Sequence, residues 1–423
     1  MSKFEEPANS NYVATIVRVN SINELTNCDN VVGIPFFGMQ AIVGRDTEVG
    51  DIGILFPAEV QLSDEFVREN NLYRHSDKNN NEKQTGYIED NRRVKAMKFR
   101  GHQSDALFMP LSSLSHLKGL PDFEVGDVFD KINGSEICRK YLVKQPGVQR
   151  IDKNATKKFV RVESKFMPEH YDTDNWWRNE YAIPENADIV VTQKLHGTSI
   201  RIGNTIVKRQ LSLRDRIAKR LGVAVAETGY DHVYGSRKVI KDPNNPAQQH
   251  FYEAVDGLDL WTATGRSLDD RIAPNFILYG ELVGYTKDGA SIQSGYTYDC
   301  EPRESTLYVY RVAVITSAGR LVDLSWNQVK NYCNEIGVKY VPELWVGKKK
   351  DFSVDLFTDS RLKDAGFSNA VQLSDGKSVD EGVVIRTDIG LAPYLLKAKS
   401  PIFLRHESAL LDAEVVDLEA ENS

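Results

Sequence analysis

Four stretches of this chain hold residues able to do chemistry. In the first, Ile189-Val190-Val191-Thr192-Gln193-Lys194-Leu195-His196-Gly197, the opening β-branched run reads as a strand that ends on a lysine. Gly197 then lets the backbone turn tightly and approach a ligand closely. A lysine shielded from water at such a place gives up its proton more readily and becomes a nucleophile. The same residues also fit an exposed lysine before a loop. In the second stretch, Phe276 to Gly284, an apolar strand is interrupted by a single carboxylate, Glu281. A buried carboxylate needs a partner, either a salt bridge or a ligand diol donating to both oxygens. In the third, Asp380-Glu381-Gly382 leads into the strand-like run Val383 to Arg386. In the fourth, Tyr394-Leu395-Leu396-Lys397-Ala398-Lys399, strand alternation aims Lys397 and Lys399 at one side. Two converging ammonium groups repel, and a polyphosphate would relieve that repulsion. A charged edge strand is the plainer alternative.

Lys194-x-His196-Gly197-Thr198 resembles motif I of the covalent nucleotidyltransferases, the superfamily of DNA ligases, RNA ligases and mRNA capping enzymes. The histidine form is typical of one RNA ligase branch. Further motifs follow in order: Ser236-Arg237-Lys238 resembles motif Ia, Phe276 to Gly284 motif III, and Leu307-Tyr308-Val309-Tyr310-Arg311-Val312 motif IIIa. Asp380 to Arg386 resembles motif IV and Tyr394 to Lys399 motif V, so the resemblance runs from about Phe166 to Phe403. It implies that Lys194 carries a covalent AMP, that Glu281 meets the ribose hydroxyls, and that Tyr310 stacks on the adenine. It implies also that Glu381, with Glu281, anchors a metal, and that Lys397 and Lys399 stabilise the reacting phosphate. Gln193, Leu195, Gly197, Ser199 and Arg237 are the further expected nucleotide contacts. Arg178, in the approach segment Trp176-Trp177-Arg178, is expected on phosphate or AMP, or simply stacked on a tryptophan. The chain departs from the family pattern at three points: His196 replaces the usual aspartate, Ser199 the usual asparagine, and Arg311 a frequent aspartate.

Several elements must position these groups. Gly203-Asn204 is expected to turn a hairpin that begins at Ser199, and alternation puts Tyr308 and Tyr310 on one face. Lys208 to Leu221 carries a helical apolar stripe among Arg209, Arg214, Arg216, Lys219 and Arg220, suited to an RNA backbone or to water. In the first third, short strand-like runs (Tyr12 to Val19, Val31 to Ile34, Gln40 to Val43, Ile52 to Phe56) are separated by glycines, which fits a small barrel or sandwich. Ser76 to Asn91 reads as a flexible loop, and Arg92 to Gly101 as an imperfect, strongly basic strand. This region resembles the N-terminal OB-type module of an RNA ligase family. The resemblance implies nucleic-acid binding by Arg93, Lys95, Lys98 and Arg100; a solvated edge strand is the alternative.

The expected fold class is α+β: an N-terminal OB-like β-barrel over 1–145, a linker over 146–165, a nucleotidyltransferase domain over 166–410 and an acidic tail over 411–423. The second domain is expected to have ATP-grasp-like antiparallel sheets with flanking helices. Some twenty residues after motif V are too few for the C-terminal barrel usual in DNA ligases and capping enzymes. With 41% hydrophobic residues the 423-residue chain can bury a substantial core, and its net charge of -7 argues against wrapping nucleic acid wholesale. Four scattered cysteines, and the lack of a signal-like or membrane-spanning run, predict a soluble intracellular protein, cytoplasmic or, if phage-encoded, in the host cytoplasm. The function expected from the resemblance is ATP-dependent joining of RNA 3′-hydroxyl and 5′-phosphate ends, in RNA repair, through lysyl-AMP and RNA-adenylate. Its cofactors would be ATP and Mg²⁺ or Mn²⁺, its partner RNA ends or a nicked duplex, with no membrane, and its state a monomer. The alternatives are a DNA ligase, a capping-type guanylyltransferase, or a non-catalytic RNA-binding protein with a ligase-like fold.

Overall fold

The computed structural model describes residues 4–142, 160–242, 257–374, 376–390 and 392–412, so most of the expected linker and all but the start of the tail lie outside the described residues. The protein is mixed α+β and mostly sheet, in two compact units. The first unit takes the described residues of 1–143, 174–180 and 399–416; the second takes those of 144–173 and 181–398.

The first unit opens with β1 (Ala14–Arg18), β2 (Val31–Phe36), β3 (Met39–Gly44), β4 (Ile52–Pro57) and β5 (Val60–Leu62), close to the runs legible in the sequence. Helix α1 (Asp64–Glu69) starts at Ser63, whose hydroxyl accepts the Phe66 N–H. There follow β6 (Met97–Phe99), β7 (His102–Ser104), β8 (Ala106–Pro110), β9 (Val128–Phe129), the short hairpin β10 (Lys131–Ile132) and β11 (Ser135–Glu136), and β12 (Cys138–Lys140). Six strands make one sheet in the order β2-β3-β8-β4-β1-β9. Alternation sends Ile16, Ile54, Phe56 and Phe129 into one core and Val17, Leu55, Ile34 and Phe36 into another, so both faces are covered. Among the described residues the end strands β2 and β9 are not paired with each other, so the expected closed barrel is not seen. The two-residue connections Phe37-Gly38 and Arg100-Gly101 have positive φ at both positions, the hairpin geometry that matches strand twist. The supposedly flexible stretch after Ser76 is pinned by Asn79, which is buried and bonds Tyr73 through both ends of its amide. β13 (Asp174–Asn175), α2 (Trp176–Asn179) and the last helix, α7 (Pro401–Asp412), also count with this unit.

The second unit is built on two antiparallel sheets. One sets β14 (Asp188–Lys194) between β21 (Glu343–Lys348) and β22 (Gly382–Thr387), with β23 (Tyr394–Lys399) beyond β22. The other runs β16 (Thr228–Gly235), β15 (Thr198–Lys208), β17 (Phe276–Gly284), β18 (Ser305–Ile315) and β19 (Leu321–Asp323), with β20 (Lys339–Tyr340) beside β18. Helices α3 (Leu213–Arg220), α4 (Leu260–Arg266), α5 (Trp326–Glu335) and α6 (Asp355–Thr358) flank them; α7 spans Pro401–Asp412. The expected hairpin turn at Gly203-Asn204 is wrong, since β15 runs through it unbroken. Gly203 is small because Met167 packs on it: an added Cβ would stand 3.0 Å from the sulfur. The apolar stripe expected in the basic segment is real but faces outward, with Leu213, Ile217 and Leu221 all exposed. Among the described residues no helix is long and apolar enough to cross a membrane.

Candidate active site

Three residues, Leu195 to Gly197, carry the chain from β14 in one sheet to β15 in the other. The crossing is tight: a Cβ on Gly197 would lie 2.1 Å from the Leu282 carbonyl oxygen. The close approach that requires glycine is therefore to the backbone of β17. Strand register decides what meets at this junction. Lys194 pairs with Gly382, which places Glu381 beside it, and the Lys194 ammonium donates to Glu381 Oε2 at 2.8 Å. Gly382 holds φ +133°, which an L side chain rarely adopts. Ser199 pairs with Glu281 across the other sheet. The Gly197 N–H donates to Glu281 Oε1 (3.0 Å) and the Ser199 hydroxyl to Oε2 (3.3 Å).

His196 sits against the same carboxylate, its Nδ1 3.7 Å from Glu381 Oε2. Its backbone N–H donates to the Tyr298 hydroxyl (2.7 Å), and Tyr296 meets its ring edge-on at 4.6 Å. Burial pushes the Tyr298 phenol well above its ordinary range, so it stays a neutral hydrogen-bonding group. Tyr296 and Tyr298 were missed in the sequence; their two-residue spacing beside a glycine was the available signal. The side chains of Gln193 and Leu195 do not reach for a ligand. Leu195 is buried, and the Gln193 amide donates to the Val371 carbonyl and Asp380 and accepts from the Val371 N–H. Those bonds tie β14 to the segment before Glu381. Anything they offer a nucleotide comes from the backbone.

A second cluster surrounds His170, in the approach segment. Arg311 lies 4.5 Å over both the Tyr171 and Tyr279 rings, pairs with Asp323 (2.6 and 3.2 Å), and stands 3.3 Å from His170 Nδ1. Burial opposes the Arg311 charge, but the Asp323 hydrogen bond and charge outweigh it and raise its pKa. The arginine at a frequent aspartate position is thus a buried structural ion pair. Burial, then the charges of Arg311, Arg237, Lys194 and Lys397, hold the His170 imidazole well below its ordinary pKa, so it is neutral and its Nδ1 accepts from Arg311. Arg237 also pairs with Asp172.

Tyr310 meets His170 edge-on at 5.0 Å. β18 bulges at this residue. Tyr279 pairs with Arg311 and Gly280 with Val309, which leaves Tyr310 as the extra residue. Arg311 thereby joins the face of Tyr308, and Tyr310 packs with Tyr279 and Ala313.

The remaining expected residues belong to the first unit. Lys399 ends β23 and pairs with Glu407 at 3.4 Å. Arg178 lies over the Phe37 ring, not a tryptophan, and burial lowers its guanidinium pKa to about 10. Arg93 cannot be a nucleic-acid contact: its side chain is fully buried and bonds Glu59, the Ser408 carbonyl and Asp412. Lys95 is spent on Glu89 and Asp412. Lys98 and Arg100 are exposed, at the hairpin of β6 and β7, and Arg100 also bonds the Asn27 carbonyl (3.0 Å). The basic run failed as a unit because buried Val94 and Ala96 take its first half into the core.

Among the described residues no three His, Cys, Asp or Glu side chains gather as a metal cage. Divalent ions in nucleotide enzymes often use one or two carboxylates plus phosphates and water. Glu381, with Glu281 nearby on the Gly197 turn, fits that smaller donor set.

The family model described as RNA ligase matches residues 187–399. No curated protein sequence matches the chain. Its fold is similar to solved structures of Naegleria gruberi RNA ligase. One, with pyrophosphate, is 17% identical with a TM-score of 0.56, covering 94% of this chain and 98% of that one. Two mutant forms with ATP and Mn are 16% and 15% identical with TM-scores of 0.55 and 0.57, covering 94% and 93% of this chain and 98% of each. At these identities the likeness is one of fold.

Proposed function

The chain belongs to the RNA ligase family, and from that premise we propose that it is an ATP-dependent ligase joining 3′-hydroxyl and 5′-phosphate RNA ends, as in repair of nicked RNA. Lys194 Nζ attacks the α-phosphorus of ATP, a P–N bond forms, and the bond to pyrophosphate breaks. The ammonium must first lose a proton. Glu381, 2.8 Å away, is the acceptor at hand. Glu281 receives the ribose hydroxyls and Tyr310 stacks on the adenine. A phosphate oxygen at the RNA 5′ end then attacks the adenylyl phosphorus and frees Lys194. The 3′-hydroxyl attacks the activated 5′-phosphorus, and AMP leaves. Mg²⁺ or Mn²⁺ held by Glu381 and Glu281 would neutralise charge on the transferring phosphate. The first unit serves as an OB-type RNA-binding module, with Lys98 and Arg100 among its exposed cations.

The observation that carries this reading is the meeting of Lys194, Glu381 and Glu281 at one sheet junction, in the family's motif order. The test is incubation with α-labelled ATP and Mg²⁺, or Mn²⁺, followed by a denaturing gel and peptide mapping. The label should map to Lys194 and vanish in Lys194→Arg, whose guanidinium stays protonated and cannot attack. Label from GTP in place of ATP would instead mark a capping-type enzyme. Label elsewhere, or none, would overturn the assignment.

A further inference from the structure

Within the second unit, the approach segment before Lys194 is fixed at three successive carbonyls. The Thr205 hydroxyl donates to the Phe166 carbonyl (2.7 Å), the Arg201 guanidinium to Met167 (2.6 Å) and the Tyr279 hydroxyl to Pro168 (3.0 Å). Thr205, Arg201 and Tyr279 are buried, and they belong to β15 and β17. Just beyond this pinned stretch stands His170. Its ring meets Tyr310 edge-on at 5.0 Å, stacks on Tyr171 at 4.7 Å and lies 5.9 Å from the Tyr279 ring. Its Nδ1 accepts from Arg311, which Asp323 holds through two hydrogen bonds. The imidazole is thus held by its backbone, by its neighbouring rings and by one ring nitrogen. Tyr310, for its part, is the extra residue of the β18 bulge, where the strand ladder is locally disrupted. Contacts to its ring therefore weigh more in setting its angle than they would in a regular strand.

We propose that His170 is a positioning residue for Tyr310: its ring, held by the approach segment and Arg311, sets the angle at which the tyrosine ring meets the adenine of ATP. This rests on the ligase reading, in which Tyr310 stacks on that base. Stacking needs a defined plane, and a ring already held in it gives up less freedom when the base arrives. An edge-on neighbour limits how far the tyrosine can swing. Loss of the His170 ring weakens ATP binding more than the transfer step, because strand register, not His170, brings Lys194 and Glu381 together.

The experiment measures single-turnover lysyl-AMP formation by the full chain across ATP concentrations. His170→Asn, which keeps an acceptor for Arg311 but no aromatic ring, should raise the half-saturating ATP concentration about fivefold, with the maximal rate within about twofold. His170→Phe, which keeps a ring, should stay within about twofold of the wild-type concentration. Added to Tyr310→Ala, His170→Asn should cost nothing further, because the ring it positions is gone. A merely structural role would change the half-saturating concentration by the same factor in both backgrounds, or lower the maximal rate instead. Melting temperatures are measured alongside, and His170→Gln, again an acceptor without a ring, replaces His170→Asn if that protein does not fold. A wild-type half-saturating concentration in the ringless variant, equal factors with and without Tyr310, or the same loss in His170→Phe, would each overturn the inference while leaving the ligase reading intact. If Tyr310→Ala itself leaves ATP use unchanged, the adenine assignment falls and takes the inference with it. If the wild-type chain forms no lysyl-AMP, the ligase reading falls, and the inference with it.

Discussion

Single atoms decide several positions here. At Gly197 an alanine Cβ would stand 2.1 Å from a backbone oxygen of β17, which has no room to retreat inside a sheet. Gly197→Ala should therefore force the junction open, cost on the order of 4 kcal/mol, and abolish labelling of Lys194. Urea unfolding and the adenylylation gel, run on the same preparation, check both halves. Arg93 makes the opposite point about charge. It is the partner that lets Glu59 lie buried, so Arg93→Met should destabilise by about 3–5 kcal/mol, while Lys98→Gln, on the exposed hairpin, should change stability by less than about 0.5 kcal/mol. If the two variants unfold at the same urea concentration, the buried pair does not hold this unit together.

Among elements, β18 shows how one inserted residue changes a site. A regular strand would set Tyr308 and Tyr310 together. The bulge brings Arg311, in its ion pair with Asp323, to that face as well, and Tyr310 meets His170 edge-on. Tyr310 is partly buried, and a stacking role needs its ring but not its hydroxyl. Tyr310→Ala should then raise the ATP concentration needed for half-maximal adenylylation by about tenfold, a loss of roughly 1–2 kcal/mol, and Tyr310→Phe should leave it within about twofold. Equal damage from both would assign the role to the hydroxyl.

At the scale of the molecule, burial of Glu59 makes stability depend on pH. Desolvation raises its pKa from 4.5 to about 7, against the pull of Arg93. The folded chain thus holds this proton more tightly than the unfolded chain. The stabilisation is complete below the unfolded value near 4.5 and is lost as pH rises through about 7. Asp105, raised to about 6 by burial, acts in the same direction over a lower window. Unfolding free energy should therefore gain a downward slope from about pH 5 to about pH 8, and Glu59→Gln should flatten it. A slope that is unchanged in the variant would show that Glu59 does not titrate in that window. The Ser408 hydroxyl of α7 bonds this same carboxylate.

The sequence by itself determined the local elements and the motif order. β-branched runs gave β14 and the early strands of the first unit because backbone sterics and two-residue alternation act over a few neighbours. Lys194, Glu281 and Glu381 were legible because each interrupts an apolar strand or ends one. What only the tertiary structure decided is pairing. Register brings Glu381 to Lys194, yet 187 residues separate them in the chain. Arg93 looked like a surface cation until Glu59, 34 residues away, and α7, more than 300 residues away, closed over it. The bulge at Tyr310 exists only where β17 lies against β18, and Gly197 is fixed by a carbonyl on another strand. A charge or a glycine carries no mark in the sequence of whether its partner will be water, a ligand or a distant strand, because desolvation and close contact are properties of the packed chain.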